Sequence, residues 1–345
     1  MGGASGRLKV VIPGGSGQVG GILARWFHEG GHEVVVLSRR PGTAGTPWRV
    51  VGWDGRTLGA WAVELEGADA VVNLAGRSVN CRYSARHRAA ILGSRVDSTR
   101  VVGRAIAGAT RPPRAWLQAG TATIYSHRFD AANDEASGVI GGDSGPSAWR
   151  FSVEVAQAWE RAAGECRLPA TRTVILRSAM TMSPGRGGVF DVLMGLVRVG
   201  LGGRSGDGRQ YVSWIHDEDF ARAVAWLIEH EEVDGPVNLA SPGPLPNAEF
   251  MRALRGVAGV PFGLPAAGPI LELGARLMRT EPELVLKSRR VVPGRLLAGG
   301  FEFRFPEWRG AAVDLLGRWR EGRRGRVRAS ASGPGGRPAS PPLRA

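Results

Sequence analysis

Three glycines, Gly14, Gly17 and Gly20, stand at Gly-x-x-Gly-x-x-Gly spacing directly after the apolar run Leu8-Lys9-Val10-Val11-Ile12. A strand, a glycine turn and the start of a helix direct backbone N–H groups and a helix N-terminus at one point. That arrangement receives a pyrophosphate. One glycine permits the tight turn, one lets the ligand approach the backbone, and one lets helix and strand pack closely. In a chain with 52 glycines, the spacing alone also fits an ordinary strand-to-helix loop. The next strand narrows the choice. Glu33-Val34-Val35-Val36-Leu37 reads as a buried parallel strand, after a helix capped at Gly30-Gly31. A site for NAD(H) places a carboxylate at this strand's end, on the ribose 2′-hydroxyl. Here the strand ends Ser38-Arg39-Arg40. Two guanidiniums, whose planar forks suit a phosphate, stand where a 2′-phosphate would lie. The expected cofactor is therefore NADP(H). The alternative is that Arg39 and Arg40 are solvated loop charges.

The elements that must hold this turn recur along the chain. Strand-like runs at 48–53, 70–75, 115–119, 173–176 and 236–239 alternate with helical stretches at 58–66, 84–107, 148–163 and 217–230. Such alternation predicts an α/β, Rossmann-type doubly wound parallel sheet. The insert Ser126–Pro146 is polar and longer than an ordinary connection, which suggests a lid or substrate loop. From Ser183 the pattern changes. Helices are expected at 189–199, 247–257 and 271–278, with a short strand at Phe301–Phe305. The expected domains are 7–240 for dinucleotide binding, with 181–211 contributing to a substrate lobe, and a smaller, mostly helical unit at 241–316.

The chain has 345 residues, 43% of them hydrophobic, enough for a substantial core, and a net charge of +14. Residues 318–345 hold eight arginines and one glutamate, so this stretch supplies +7, half of the total. Rich in Gly, Pro, Ser and Arg, the tail 317–345 is expected to be disordered and basic, and the rest only mildly basic. Nucleic acid is therefore not the expected partner. No apolar run of membrane-spanning length and no secretory signal are read, which points to a cytoplasmic protein. Cys81 and Cys166 fit free thiols, and no metal motif appears.

Taken together, the glycine turn, Asn73-Leu74-Ala75-Gly76, Thr121-Ala122-Thr123-Ile124-Tyr125, Val174-Ile175-Leu176-Arg177 and Trp214-Ile215-His216-Asp217-Glu218-Asp219 resemble the extended short-chain dehydrogenase/reductases, the NAD-dependent epimerase/dehydratase superfamily. More narrowly, Arg95 in ILGSR, GLGGRSGDGRQYVSWIHDEDFARAV, GPVNLASPGPLPNAEFMRAL and SRRVVPGRLLAGGFEFRFP are similar to the atypical branch called epimerase family proteins, which carry their own C-terminal domain. The resemblance covers roughly residues 8–316. It implies that Gly14, Ser16, Gly17, Gln18, Val19 and Gly20 hold the pyrophosphate and that Ser38, Arg39 and Arg40 take the adenosine phosphate. Trp53 and Asp54 fall at the loop over the adenine. Leu74, Ala75 and Gly76 pass under the cofactor, with Arg95 and Thr121 beside it. Ser178, Ala179 and Met180 cover the nicotinamide. Thr121 and Thr123 match the Ser/Thr of the catalytic strand end, and a homodimer through the helices at 84–107 and 148–163 is implied.

Chemistry in this superfamily usually rests on Tyr-x-x-x-Lys one helical turn apart, the Lys lowering the phenol pKa. Phe151 and Val155 occupy those positions here. None of the three tyrosines, at 83, 125 and 211, has a lysine four residues on, and the only lysines are Lys9 and Lys287. Tyr125 beside Thr123 is the candidate proton donor, with a structural role as its alternative. His127, Asp130, Glu154 and His216 are weaker candidates; Glu154 is expected to face elsewhere, and His216 to cap or pack. Two functions stay open. One is an oxidoreductase or epimerase acting on an unidentified small molecule. The other is a cofactor-binding regulator or scaffold without turnover.

Overall fold

The computed structural model describes residues 6–42, 45–141, 145–266 and 286–331. The first half is built of strands with helices between most of them. β1 (Lys9–Pro13), α1 (Gln18–Glu29), β2 (Glu33–Ser38), β3 (Arg49–Gly52) and β4 (Ala70–Asn73) come first. Then come α2 (Ala85–Ala107), β5 (Ala115–Thr121), α3 (Ser147–Gly164) and β6 (Arg172–Ser178). The chain continues through β7 (Met180–Met182), α4 (Val189–Arg198), β8 (Tyr211–Val212), β9 (Trp214–His216), α5 (Asp217–Glu229), β10 (Gly235–Leu239), β11 (Leu245–Pro246) and α6 (Asn247–Ala258).

Seven strands form one sheet in the order β10-β6-β5-β4-β1-β2-β3, every pairing parallel. The central strands are apolar because both faces are covered: Val10, Ile12, Val36, Val72, Leu117 and Leu176 pack with α1 and α5 on one side. Val11, Val35, Val71, Trp116 and Ile175 pack with α2 on the other. The strand order reverses between β1 and β4, so a crevice opens beyond their carboxyl ends. Met182, Phe190, Met194, Trp214, Phe250, Leu254 and Trp308 build a second core, which joins α4, α6 and the C-terminal helix Trp308–Ala331.

Three expectations need correction. The stretch 58–66 is a 3-10 helix over Ala60–Leu65, not an α-helix. Among the described residues, Phe301–Phe305 pairs with no strand; the Arg304 and Phe305 N–H groups donate to the Asp219 carboxylate, each at 2.8 Å, so a side chain takes the place of a ladder. The C-terminal helix runs to Ala331, through half of the segment expected to be disordered. Trp319 docks in the second core and Arg318 binds Asp217 and Asp314, and no proline interrupts the helix before Pro334. The helix expected at 271–278 lies outside the described residues, as does the chain after Ala331. Among the described residues, no helix is long and apolar enough to cross a membrane.

Candidate functional site

The glycine turn is dictated by contact. Gly14 adopts φ +78°, and a Cβ there would lie 2.8 Å from the Ala75 backbone. A Cβ at Gly15 would lie 2.8 Å from Val36, and one at Gly20 2.8 Å from the Gly15 carbonyl. Gly15 was not singled out from spacing, yet it is as constrained as its neighbours. Gly17 is the N-cap of α1; no side chain caps this end and no acid lies in its first turn. Ser16, Gln18 and Val19 complete the bend, and the helix end they open is a cradle whose shape and polarity fit a diphosphate.

At the end of β2, Ser38 is buried; its hydroxyl lies 3.1 Å from Ser16 Oγ and accepts the Arg40 N–H at 3.1 Å. This links the strand end to the glycine turn and leaves Arg39 and Arg40 exposed at its rim. Trp53 and Asp54 stand beside them, since Trp53 N–H donates to Ser38 O at 3.2 Å. The Trp53 ring is turned inward against Trp61, with centroids 5.4 Å apart. The Asp54 carboxylate accepts Arg56 N–H, Thr57 N–H and the Thr57 hydroxyl at 2.8, 2.9 and 2.6 Å, which holds its pKa down at about 2. Both are therefore occupied by local structure.

In the middle of the crevice, Leu74 N–H donates to Pro13 O at 2.9 Å. Buried Asn73 holds the Ala75 N–H at 3.1 Å and donates to Gln118 at 2.8 Å. Gly76 leaves room for Arg95, whose guanidinium carbon would meet a Cβ there at 3.3 Å. Arg95 donates to the Arg77 and Ile91 carbonyls and lies 4.9 Å over Trp159. Burial lowers its pKa to about 10. On the far side, Thr121 pairs with Ser178 in the sheet, Ala179 N–H donates to Leu239 O, and Met180 opens β7.

The reaction end departs from expectation. Phe151 and Val155 are both buried, in an apolar cluster with Ile91. Tyr83 packs edge-on to Phe151 at 5.2 Å. Tyr125, a candidate proton donor with a structural role as its alternative, stands here as a strut. It is 2% exposed, its hydroxyl donates to Asn238 and accepts from Arg177, both at 2.9 Å, and burial pushes its pKa up. Arg177 is in turn held by both carboxylate oxygens of Glu160 at 2.8 Å. Asp130 pairs with Arg128, and Glu154 is exposed. His216 caps α5 through Glu218 N–H and contacts Asp314 and Arg318.

Thr123 keeps partial exposure at the end of β5, and what meets it was not legible from spacing. Lys287 Nζ donates to Thr123 O at 2.7 Å and Arg289 Nε to Thr123 Oγ1 at 3.2 Å. Between them, Ser288 N–H donates to His127 Nδ1 at 2.8 Å, so a neutral His127 carries its proton on Nε2. Burial lowers the His127 pKa, and the charges of Lys287 and Arg289 lower it further. The stretch SRRVVPGR carries Arg289, but nothing in it points to a partner 166 residues away.

A parallel sheet with a glycine cradle at its reversal point defines a dinucleotide-binding α/β protein. Comparison with known proteins makes this specific. Residues 10–240 match the NAD dependent epimerase/dehydratase family, and the chain belongs to it. Residues 266–315 match a domain of unknown function, DUF1731. The epimerase family protein SDR39U1 of Bos taurus is 35% identical over 90% of this chain and 100% of its own length. The human epimerase family protein SDR39U1 (isoform 2), crystallised with NADPH, is 32% identical, covers 89% of this chain and 99% of its own, and superimposes with a TM-score of 0.77. The UDP-N-acetylglucosamine 4-epimerase of Bacillus cereus, at 17% identity and a TM-score of 0.68, shares the fold.

Proposed function

We propose that this protein binds NADP(H) and uses it as an oxidoreductase or epimerase on a small molecule. The observation that carries the reading is the exposed pair Arg39–Arg40, with no carboxylate at the end of β2, beside a cradle in which Gly14, Gly15 and Gly20 leave no room for a Cβ. The human relative crystallised with NADPH supports the same cofactor. Ser16, Gly17, Gln18 and Val19 would take the diphosphate, and Arg39 and Arg40 the 2′-phosphate. Bound there, the nicotinamide supplies hydride transfer at its C4. The protein's part is to fix the ring beyond β5 and β6, exclude water with Ser178–Met180, and polarise the reacting oxygen.

Calorimetry on the full chain tests this. NADPH should bind at least about tenfold more tightly than NADH, a difference of about 1.4 kcal/mol. No heat with either NADP⁺ or NADPH overturns the reading. A second reading, cofactor binding without turnover, is favoured by the apolar Phe151–Val155 position. A nicotinamide that stays bound and keeps its oxidation state through a broad metabolite screen would support that one instead.

A further inference from the structure

Two cations from the C-terminal region reach a single residue at the end of β5. Thr123 lies in a one-turn 3-10 helix, Ala122–Ile124, and its N–H donates to Thr121 Oγ1 at 3.2 Å. Lys287 fixes its carbonyl and Arg289 its hydroxyl oxygen. Lys287 and Arg289 are 3% and 8% exposed, so neither is a waving surface charge. Their segment is pinned on both sides: Arg289 N–H donates to Tyr211 O at 2.9 Å, and Val291 N–H to Ser213 Oγ at 2.8 Å.

The direction of the Arg289–Thr123 bond matters. A guanidinium has donors only, so Thr123 Oγ1 must accept there. The single hydroxyl hydrogen is then turned away from Arg289, and the positive charge beside the oxygen makes it a better donor. We propose that Arg289 is a positioning residue that makes Thr123 the hydrogen-bond donor to the reacting oxygen of the substrate, at the end of the site where the usual Tyr and Lys are absent. This rests on the oxidoreductase reading above. In reduction, the carbonyl carbon gains a hydride from the dihydronicotinamide and the C=O π pair moves to oxygen. Thr123 O–H donates to that oxygen while the charge develops, and water supplies the proton that completes the alcohol.

Two measurements on the full chain test it. The first needs no cofactor: ¹⁵N NMR should show a slowly exchanging Arg289 Nε–H that exchanges faster in Thr123→Val. The second is NADPH oxidation with a panel of small aldehydes, α-diketones and an ortho-quinone. Thr123→Val should lower kcat about 100-fold and Arg289→Met about tenfold, with the KM for NADPH held within about twofold. The double variant should be no slower than Thr123→Val, because Arg289 acts through Thr123. Arg289→Lys, which restores a donor, should recover part of the rate. Additive losses, an Arg289→Met variant at the parent rate, or Nε–H exchange unmoved by Thr123→Val each overturn the inference alone. Unmodified protein that binds NADPH but reduces none of the panel overturns it together with the oxidoreductase reading.

Discussion

The two ends of the crevice are built on different principles. At the adenosine end, the surface that faces a diphosphate is backbone, with Arg39 and Arg40 at its rim: glycines at 14, 15 and 20 are held by contacts that any Cβ would break. The groups that create this end are neighbours in sequence. At the reaction end, the surface is side chain, and its parts come from β5, the loop after it and a segment some 160 residues further on. A backbone site tolerates almost no substitution and needs no particular side chain. A side-chain site can exchange its parts while the fold stays, and the helix face that carries Phe151 and Val155 is apolar here.

The largest effect expected from breaking this contrast is at Gly14. Gly14→Ala puts a Cβ 2.8 Å from the Ala75 backbone at φ +78°. Strain and overpacking together should cost about 3 kcal/mol in denaturant unfolding and remove NADPH binding with it. Next comes Arg39→Ser with Arg40→Ser. Losing charge-assisted bonds to a 2′-phosphate should weaken NADPH by about 2–3 kcal/mol while NADH affinity stays level, read by calorimetry. Equal losses for both dinucleotides would show that the arginines shape the strand end and do not select a phosphate.

Tyr125→Phe sharpens the other end. The hydroxyl bridges Asn238 and Arg177 in a buried site, so its removal should cost about 1–2 kcal/mol of stability. NADPH affinity and any hydride transfer should be unchanged. A variant of normal stability that has lost turnover would restore Tyr125 to the chemistry.

The same division explains what the sequence could disclose. The parallel sheet was legible because its strands are short apolar runs bounded by turn residues, and β1 with its glycines lies within one dozen positions. Ser38-Arg39-Arg40 was legible because strand end and loop are contiguous. The structural alternative for Tyr125 was legible from its place at a strand end, but its partners, Asn238 and Arg177, were not, because they lie 113 and 52 residues away. Lys287 and Arg289 were missed for the same reason, as were the anchors that keep the C-terminal helix going past 317. Composition reported a solvated basic tail there; the ring of Trp319 and the ion pairs of Arg318 overrode it.

The smallest effect belongs to Asp54, at the loop over the adenosine end. Its carboxyl is exposed, yet three hydrogen bonds within its own turn depress its pKa from 3.8 to about 2. A folded-state pKa below the unfolded one means that the unfolded chain binds the proton more readily. The turn's contribution is therefore complete above pH 4 or so and is lost as the pH falls toward 2. Solvent screening keeps it small. Asp54→Asn should flatten the acid limb of the stability curve slightly and leave it unchanged at neutral pH, followed by urea midpoints at stepped pH. NADPH affinity should stay within about twofold, because the carboxylate is engaged by Arg56 and Thr57 of its own loop. A large loss of affinity in Asp54→Asn, with stability intact, would mean that the loop opens to meet the adenine, and that a carboxylate joins Arg39 and Arg40 at the adenosine end.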